Sequence, residues 1–277
     1  MLKRNESMSM HCSLRAGGIA QTLFIPDDLQ ALINFLQNNS KPVLFVGLGS
    51  NLLIRDCGFQ GVVVKLTQLK SLTLNDSTIT AEAGVTLAKL SRIAQTNNHH
   101  GAEFLSAIPG TVGGALAMNA GAFGMEFWQF VNRVQTINAA GEVFERTAND
   151  FDISYRQVLA NHTDEYFICA DLIFNAESNS QNIKQLLLQR NASQPIGLPS
   201  CGSVFKNPKG YFAAQLIEQA NLKGFCIGGA CVSSKHTNFI INSNNATADD
   251  IENLILHIRQ TVKSNFDIDL ETELKII

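Results

Sequence analysis

The sequence predicts an α+β protein, and three observations carry that prediction. Helix-like and strand-like patterns alternate along 277 residues, with more strand than helix in the first two-thirds. Apolar residues make up 45% and charged residues 16%, enough for a packed core and too few charges for a disordered chain. A stretch with two prolines and two glycines, "QPIGLPSCG" at 194–202, marks where one domain gives way to the next.

The elements follow in order. "PDDLQALINFLQNN" (26–39) reads as a helix, with Leu29, Leu32, Phe35 and Leu36 at helical spacing and acidic residues in its first turn. "PVLFVGLGSNLLIRD" is a buried strand running into a glycine turn. "GVVVKL" (61–66) is a strand, and "SLTLNDSTITAEAG" (71–84) is a hairpin turning near Asn75 and Asp76. "TLAKLSRIAQTNN" (86–98) is a second amphipathic helix. "RVQTINAAGEVFERT" (133–147) turns around Gly141, and "EYFICADLIF" (165–174) is a strand. Helices are expected over 182–193, over "YFAAQLIEQAN" and over "TADDIENLILHIRQTVKSNF", where Thr247 and Asp250 form a capping pair. "TNFIIN" and the closing "DLETELKII" are strands.

The formal charge of −3, with no run of Lys and Arg, leaves no electrostatic footprint for nucleic acid. The N-terminus has early cations but no apolar stretch behind them, so neither a signal peptide nor a membrane anchor is expected. Cysteines 12, 57, 169, 201, 226 and 231 form no C-x-x-C pair and meet no histidine pair at zinc spacing. They read as reduced, mostly buried thiols, and no metal site is expected. His99 and His100 read as exposed polar residues at a helix end.

"SAIPGTVGGALAMNAGAFG" (106–124) is the anomaly: ten of its nineteen residues are Gly or Ala. It offers little apolar area to bury, and Pro109 with five glycines makes it a poor helix. Either it is a chain of tight turns, or its backbone is itself a working surface that approaches an anion or a flat ring. A membrane segment is a third reading, suggested by the Gly110/Gly114 pair, but the stretch is short and holds Pro109, Thr111 and Asn119. "VGLGSN" (46–51) lacks the third glycine of a dinucleotide fingerprint, yet its turn and the Ser50 and Asn51 side chains suit phosphate oxygens. Two such loops about sixty residues apart would grip both phosphates of one dinucleotide.

Other candidates carry side-chain chemistry. Arg156, beside Tyr155 in "FDISYRQV", suits two-point recognition of a carboxylate or a surface ion pair. Ser203 in "CGSVFKNP" is no hydrolase elbow, since Phe205 replaces the closing glycine. It is either a chemical group or part of a strand-entry turn. His236 reads as structural. Glu273, an acid on an otherwise apolar strand, is a candidate functional group.

In order, "GLGSNLLIRD", "IPGTVGGALAMNAGAFG", "SYR", "GSVFKNP", "GACVSSKHTNFIIN" and "LETELK" resemble the UDP-N-acetylenolpyruvoylglucosamine reductase family across nearly the whole chain. The resemblance implies a two-lobed FAD-binding domain of the vanillyl-alcohol-oxidase type over 1–193, with lobes near 1–69 and 70–193. A smaller α+β substrate domain would occupy 194–277. It implies non-covalent FAD, with NADPH and UDP-N-acetylglucosamine enolpyruvate as substrates, in bacterial peptidoglycan synthesis. A cytoplasmic monomer is expected. Gly47, Gly49, Ser50 and Asn51 would meet the FAD pyrophosphate. Pro109, Gly110, Thr111, Gly113, Gly114, Asn119 and Gly121 would form the second FAD loop. Ser203 matches the family's proton donor, and Arg156 and Glu273 match the groups that stabilise developing charge. Tyr155, Lys206 and Asn207 match substrate-side positions. Only 28 residues separate Phe174 from Ser203 and none is Tyr, so the chain resembles the shorter branch without a tyrosine loop. Two other readings stand beside it: an FAD-dependent alcohol or sugar oxidase, and a non-catalytic flavin-binding module.

Overall fold

The computed structural model describes residues 1–161, 164–174 and 182–277. The chain forms two compact units, one of residues 1–3, 23–48 and 61–190 and the other of 4–22, 49–60 and 191–277.

The first unit holds two cores. In one, helix α1 (Leu29–Gln37) buries Leu32 and Leu36, and its N-terminus is capped by the Asp28 carboxylate, which accepts from Ala31 N at 2.7 Å. Beside these residues lie Val62, Val64, Ile137 and Ile168. Val43–Val46 pairs in parallel with the Val62–Lys65 segment. The second core lies on a five-stranded antiparallel sheet ordered Val143–Arg146, Val131–Asn138, Glu165–Ile173, Thr78–Glu82 and Leu72–Asn75. Ile79 and Ala81 alternate into it, and helix α2 (Leu87–Thr96) adds Leu87, Leu90 and Ala94. The two expected hairpin turns have left-handed residues at Asp76 (φ 48°) and Gly141 (φ 82°).

The 106–124 stretch departs from its expected lack of helix. Val112–Met118 forms a short helix, α3, that buries Val112, Ala115 and Leu116. Packing outweighs the poor propensity, because small residues let this backbone lie close to its neighbour. A β-carbon on Gly113 would come within 2.9 Å of the Ala83 β-carbon. His99 also departs from expectation. It is buried, while His100 stays exposed.

Helix α4 (Ile183–Ser193) buries Leu186. In the second unit, helices α5 (Ala213–Gln219) and α6 (Ala248–Phe266) pack with Leu14, Leu53, Val204, Phe205 and Leu270. The predicted cap on α6 is present, with Asp250 N donating to Thr247 Oγ1 at 3.0 Å and the stripe Ile251, Leu254, Ile255, Ile258, Val262 buried. A small antiparallel sheet runs Cys226–Ile227, Ala230–Val232, Ile240–Asn242.

That sheet corrects the expectation of six free thiols. Its register sets Cys226 opposite Cys231 with Cα atoms 4.1 Å apart, and the two form a disulfide. Of the free cysteines, Cys12 and Cys201 are buried, Cys169 is half-buried and Cys57 is exposed. The C-terminal strand is also shorter than expected: only Lys275–Ile276 pairs regularly, in parallel with Leu52–Leu53. Upstream, Glu273 N and Leu274 N both donate to Val204 O, an irregular partner.

Candidate active site

Each unit builds its own group of candidate residues. In the first, the strand Val43–Val46 delivers Gly47 to Thr111, at the start of α3. A β-carbon on Gly47 would collide with Thr111 Oγ1, so only glycine leaves room for the Thr111 side chain beside this turn. The loop before α3 is stitched down by Leu87 N to Gly110 O (3.1 Å), Val112 N to Val85 O (2.9 Å) and Gly113 N to Ala83 O (2.9 Å). Pro109 and Gly114 stay exposed. Gly114 has room to spare, since an added β-carbon would touch only Thr111 Oγ1, at 3.8 Å. Thr111 Oγ1 is buried, does not cap its helix and has no hydrogen-bond partner. A hydroxyl buried this way is costly unless something supplies a partner.

Arg156 sits in the two-residue turn between Phe151–Ser154 and Gln157–Ala160, with φ 56°. Left-handed backbone is unfavourable for a side chain with a β-carbon, so this turn holds an arginine at a position suited to glycine. Its Nη1 donates to Asn119 O (3.3 Å) and its Nη2 to Gly121 O (2.6 Å). A β-carbon on Gly121 would come within 2.9 Å of Arg156 Nη1 and 2.5 Å of Met125 O. Tyr155, 45% exposed, lies with its ring 4.9 Å from the Arg156 guanidinium carbon. The structure thus brings Arg156, Asn119 and Gly121 together across a sequence gap, within one unit.

The second unit gathers three distant segments. Gly49 is buried in left-handed conformation (φ 68°), and a β-carbon there would strike His11 O. Ser50 follows, half-buried. Asn51 Nδ2 donates to Glu273 O at 3.0 Å, while its Oδ1 is buried without a partner. Lys275 N in turn donates to Asn51 O at 3.2 Å.

Ser203 precedes a segment held by Asn238. Val204 N donates to Asn238 O (2.8 Å), Phe205 N to Asn238 Oδ1 (3.0 Å), and Asn238 Nδ2 to Phe205 O (2.9 Å). Glu273 N reaches Val204 O at 2.8 Å, so the backbones of the serine and glutamate segments are in direct contact. Burial pushes the Cys201 thiol up to about 12, and the nearby Glu273 charge adds to that. Lys206 Nζ pairs with Glu271 Oε1 at 2.5 Å, and Asn207 Oδ1 accepts from Ala213 N at 3.0 Å. Both side chains therefore anchor protein segments.

Asn238 is a residue that sequence reasoning missed. It lay inside the apolar run "TNFIIN", where only its polarity marked it. Glu126, which accepts from Asn119 Nδ2, had no signal at all. Among the described residues no group of His, Cys, Asp or Glu could hold a metal ion, and no helix is long and apolar enough to cross a membrane.

Comparisons with known proteins cover the same segments. Residues 194–277 match the model of the UDP-N-acetylenolpyruvoylglucosamine reductase C-terminal domain, and residues 25–147 match that of an FAD binding domain. A UDP-N-acetylenolpyruvoylglucosamine reductase of Nitrosomonas eutropha is 45% identical, over 100% of this chain and 88% of its own length. One from Legionella pneumophila strain Corby is 48% identical, over 99% of this chain and 91% of its own length. The crystal structure of the reductase from Thermus caldophilus superposes with a TM-score of 0.84 at 26% identity. That match covers 100% of this chain and 98% of the other.

Proposed function

This chain belongs to the UDP-N-acetylenolpyruvoylglucosamine reductase family, and we propose on that premise that it reduces UDP-N-acetylglucosamine enolpyruvate to UDP-N-acetylmuramate for peptidoglycan synthesis, with NADPH as reductant. The observation that carries this reading is the match over essentially the full length to relatives of that name.

The residues fit the FAD that the family implies. Two buried oxygens, Thr111 Oγ1 and Asn51 Oδ1, lie without partners on the two loops expected to hold it. Pro109 is exposed, and Gly114 leaves open the space that a larger side chain would fill. Within the first unit, Gly47, Pro109, Gly110, Gly114 and the Thr111 hydroxyl are the groups that would hold FAD; for the second unit, taken by itself, Ser50 and Asn51 keep the phosphate-binding role that the family resemblance implies. Gly49 and Gly113 serve chiefly to let chain segments meet, because their missing β-carbons face protein atoms. FAD held there would supply the hydride chemistry between NADPH and the enolpyruvyl double bond.

The chain's own groups handle the charge and the proton that this creates. Negative charge develops at the neighbouring carbon and spreads into the carboxylate, and Arg156 supplies fixed donors for it. Its two backbone contacts hold the planar guanidinium for a two-point approach. Glu273, in the second unit, is the other group that the family resemblance assigns to charge stabilisation; beside a substrate carboxylate it would need a proton or a bridging cation to avoid like-charge repulsion. Ser203 gives its hydroxyl proton to the carbon. A serine is a feeble acid, but a carbanion is a strong enough base to take its proton if the geometry is right. Tyr155 faces the substrate, while Lys206 and Asn207 keep the serine segment in shape from behind.

We place the protein in the bacterial cytoplasm, where nucleotide sugars and NADPH are found, and a monomer is the state that the family resemblance implies.

The test is anaerobic. Purified protein should be yellow and should release its flavin on acid precipitation. NADPH should bleach it, and the enolpyruvyl substrate should restore the colour. Flavin that stays in the pellet, or reduced flavin that reacts with air and ignores the substrate, would replace this reading with that of an oxidase.

A further inference from the structure

We infer that Asn119, expected from the sequence in the second FAD loop, acts through its side chain as a positioning residue for Arg156 instead of as a cofactor contact: its side chain locks the turn that carries the arginine, and its carbonyl aims the guanidinium. The inference rests on the reading of Arg156 given above. Asn119 is 1% exposed and ends α3 in left-handed conformation (φ 42°). Every polar group on its side chain is taken by protein. Nδ2 donates to Glu126 Oε2 (2.8 Å) and to Ser154 O (3.1 Å), and Oδ1 accepts from Trp128 N (3.2 Å). An amide has two donor hydrogens, and both are used here.

The bond to Ser154 O decides the role. Ser154 opens the two-residue turn whose second central residue is Arg156. The Asn119 side chain therefore grips the start of that turn, while its own carbonyl accepts from Arg156 Nη1. One residue controls both the root and the tip of the arginine side chain. A left-handed arginine in a short hairpin stays only where its surroundings over-determine it, and Asn119 contributes to that constraint at both ends of the side chain. Glu126 and Trp128 fix the amide from the other side, and Trp128 Nε1 is itself bonded to Leu116 O at 2.8 Å.

Asn119→Gly tests this, because glycine accepts the same backbone conformation while the side chain is lost. Three quantities are read: FAD affinity by flavin fluorescence, the rate of bleaching by NADPH, and the rate of reoxidation by the enolpyruvyl substrate. FAD affinity and bleaching should stay within about threefold of wild type, and reoxidation should slow roughly 10- to 100-fold. In a double-mutant cycle, Asn119→Gly should cost little further on an Arg156→Ala background. Weakened FAD binding with normal reoxidation would make Asn119 a cofactor contact and overturn the inference. Additive losses in the cycle would overturn it too. If Asn119→Gly does not fold, Glu126→Leu frees the same amide from its outer side, and the same pattern is required. Failure of the wild type to be bleached by NADPH would instead refute the underlying reading of function, which the wild-type control detects separately.

Discussion

The loop at 106–121 and the segment at 201–207 use opposite materials. The first offers almost no side chains, and its glycines and alanines expose backbone. Its one strong charge, Arg156, arrives from a separate hairpin and is gripped by two carbonyls of the loop. The second presents a serine, a lysine and an asparagine on an irregular segment clamped by Asn238 and by the 271–274 segment. On the proposed function, the contrast follows from what each would recognise. A large flat cofactor is bound by close approach of main chain, which a β-carbon obstructs. A reacting carbon needs a proton at one point, which only a positioned side chain delivers.

The largest effect expected from breaking this contrast is at Ser203. Ser203→Ala should keep FAD and be bleached by NADPH at near wild-type rate, while reoxidation by the enolpyruvyl substrate falls about 10²- to 10⁴-fold, the usual worth of a positioned proton donor. Ser203→Cys should regain part of the loss. Stopped-flow absorbance of each half-reaction measures it, and equal slowing of both would assign Ser203 to the flavin side of the contrast.

Two neighbouring glycines sharpen the backbone half. Gly114→Val should fold normally, because an added β-carbon meets only Thr111 Oγ1 at 3.8 Å, yet it should purify colourless. Gly113→Ala should do the reverse. Its β-carbon would press on Ala83 at 2.9 Å, so stability should drop by about 1–3 kcal/mol. Flavin content and thermal unfolding separate the two, and full FAD retention in Gly114→Val would remove that face from the cofactor site.

The smallest effect lies away from both regions. Gly229 N first, and then Thr247 N, hold the Asp250 carboxyl below its ordinary value. A depressed pKa contributes stability above the usual carboxylate range, and that contribution is lost as pH falls through the folded value. Asp250→Asn should therefore unfold more easily than wild type at neutral pH, with the gap closing as pH falls below the ordinary carboxylate range. Melting temperatures of the two proteins across that range test it, and a constant gap would show that the cap does not depend on charge. The Ser203 phenotype should be unaffected in either case.

How much was legible in the sequence varies with the kind of signal. Long periodic elements were legible: the stripe on α6 and its Thr247–Asp250 cap are local patterns, and the structure has them. Both hairpin turns were legible because Asp76 and Gly141 tolerate left-handed backbone. The candidate site could be named from ordered motifs and a resemblance. Its supports could not. Asn238 and Glu126 act on residues 33 and seven positions away, and nothing in their own neighbourhood announces it.

What the sequence determined by itself is the set of local choices. Helical stripes, turn residues and the glycine content of 106–124 depend on each residue and a few neighbours. Only the tertiary structure decided which glycines face protein and which face open space, since Gly113 and Gly114 are adjacent and chemically identical. It also decided that α3 forms despite poor propensity, that Cys226 meets Cys231, and that Asn119 and Gly121 hold Arg156. The physical reason is common to all of these. Each depends on which atoms of a distant segment, or of an opposing strand, come within a few ångströms, and that is set by packing of the whole unit rather than by any local preference.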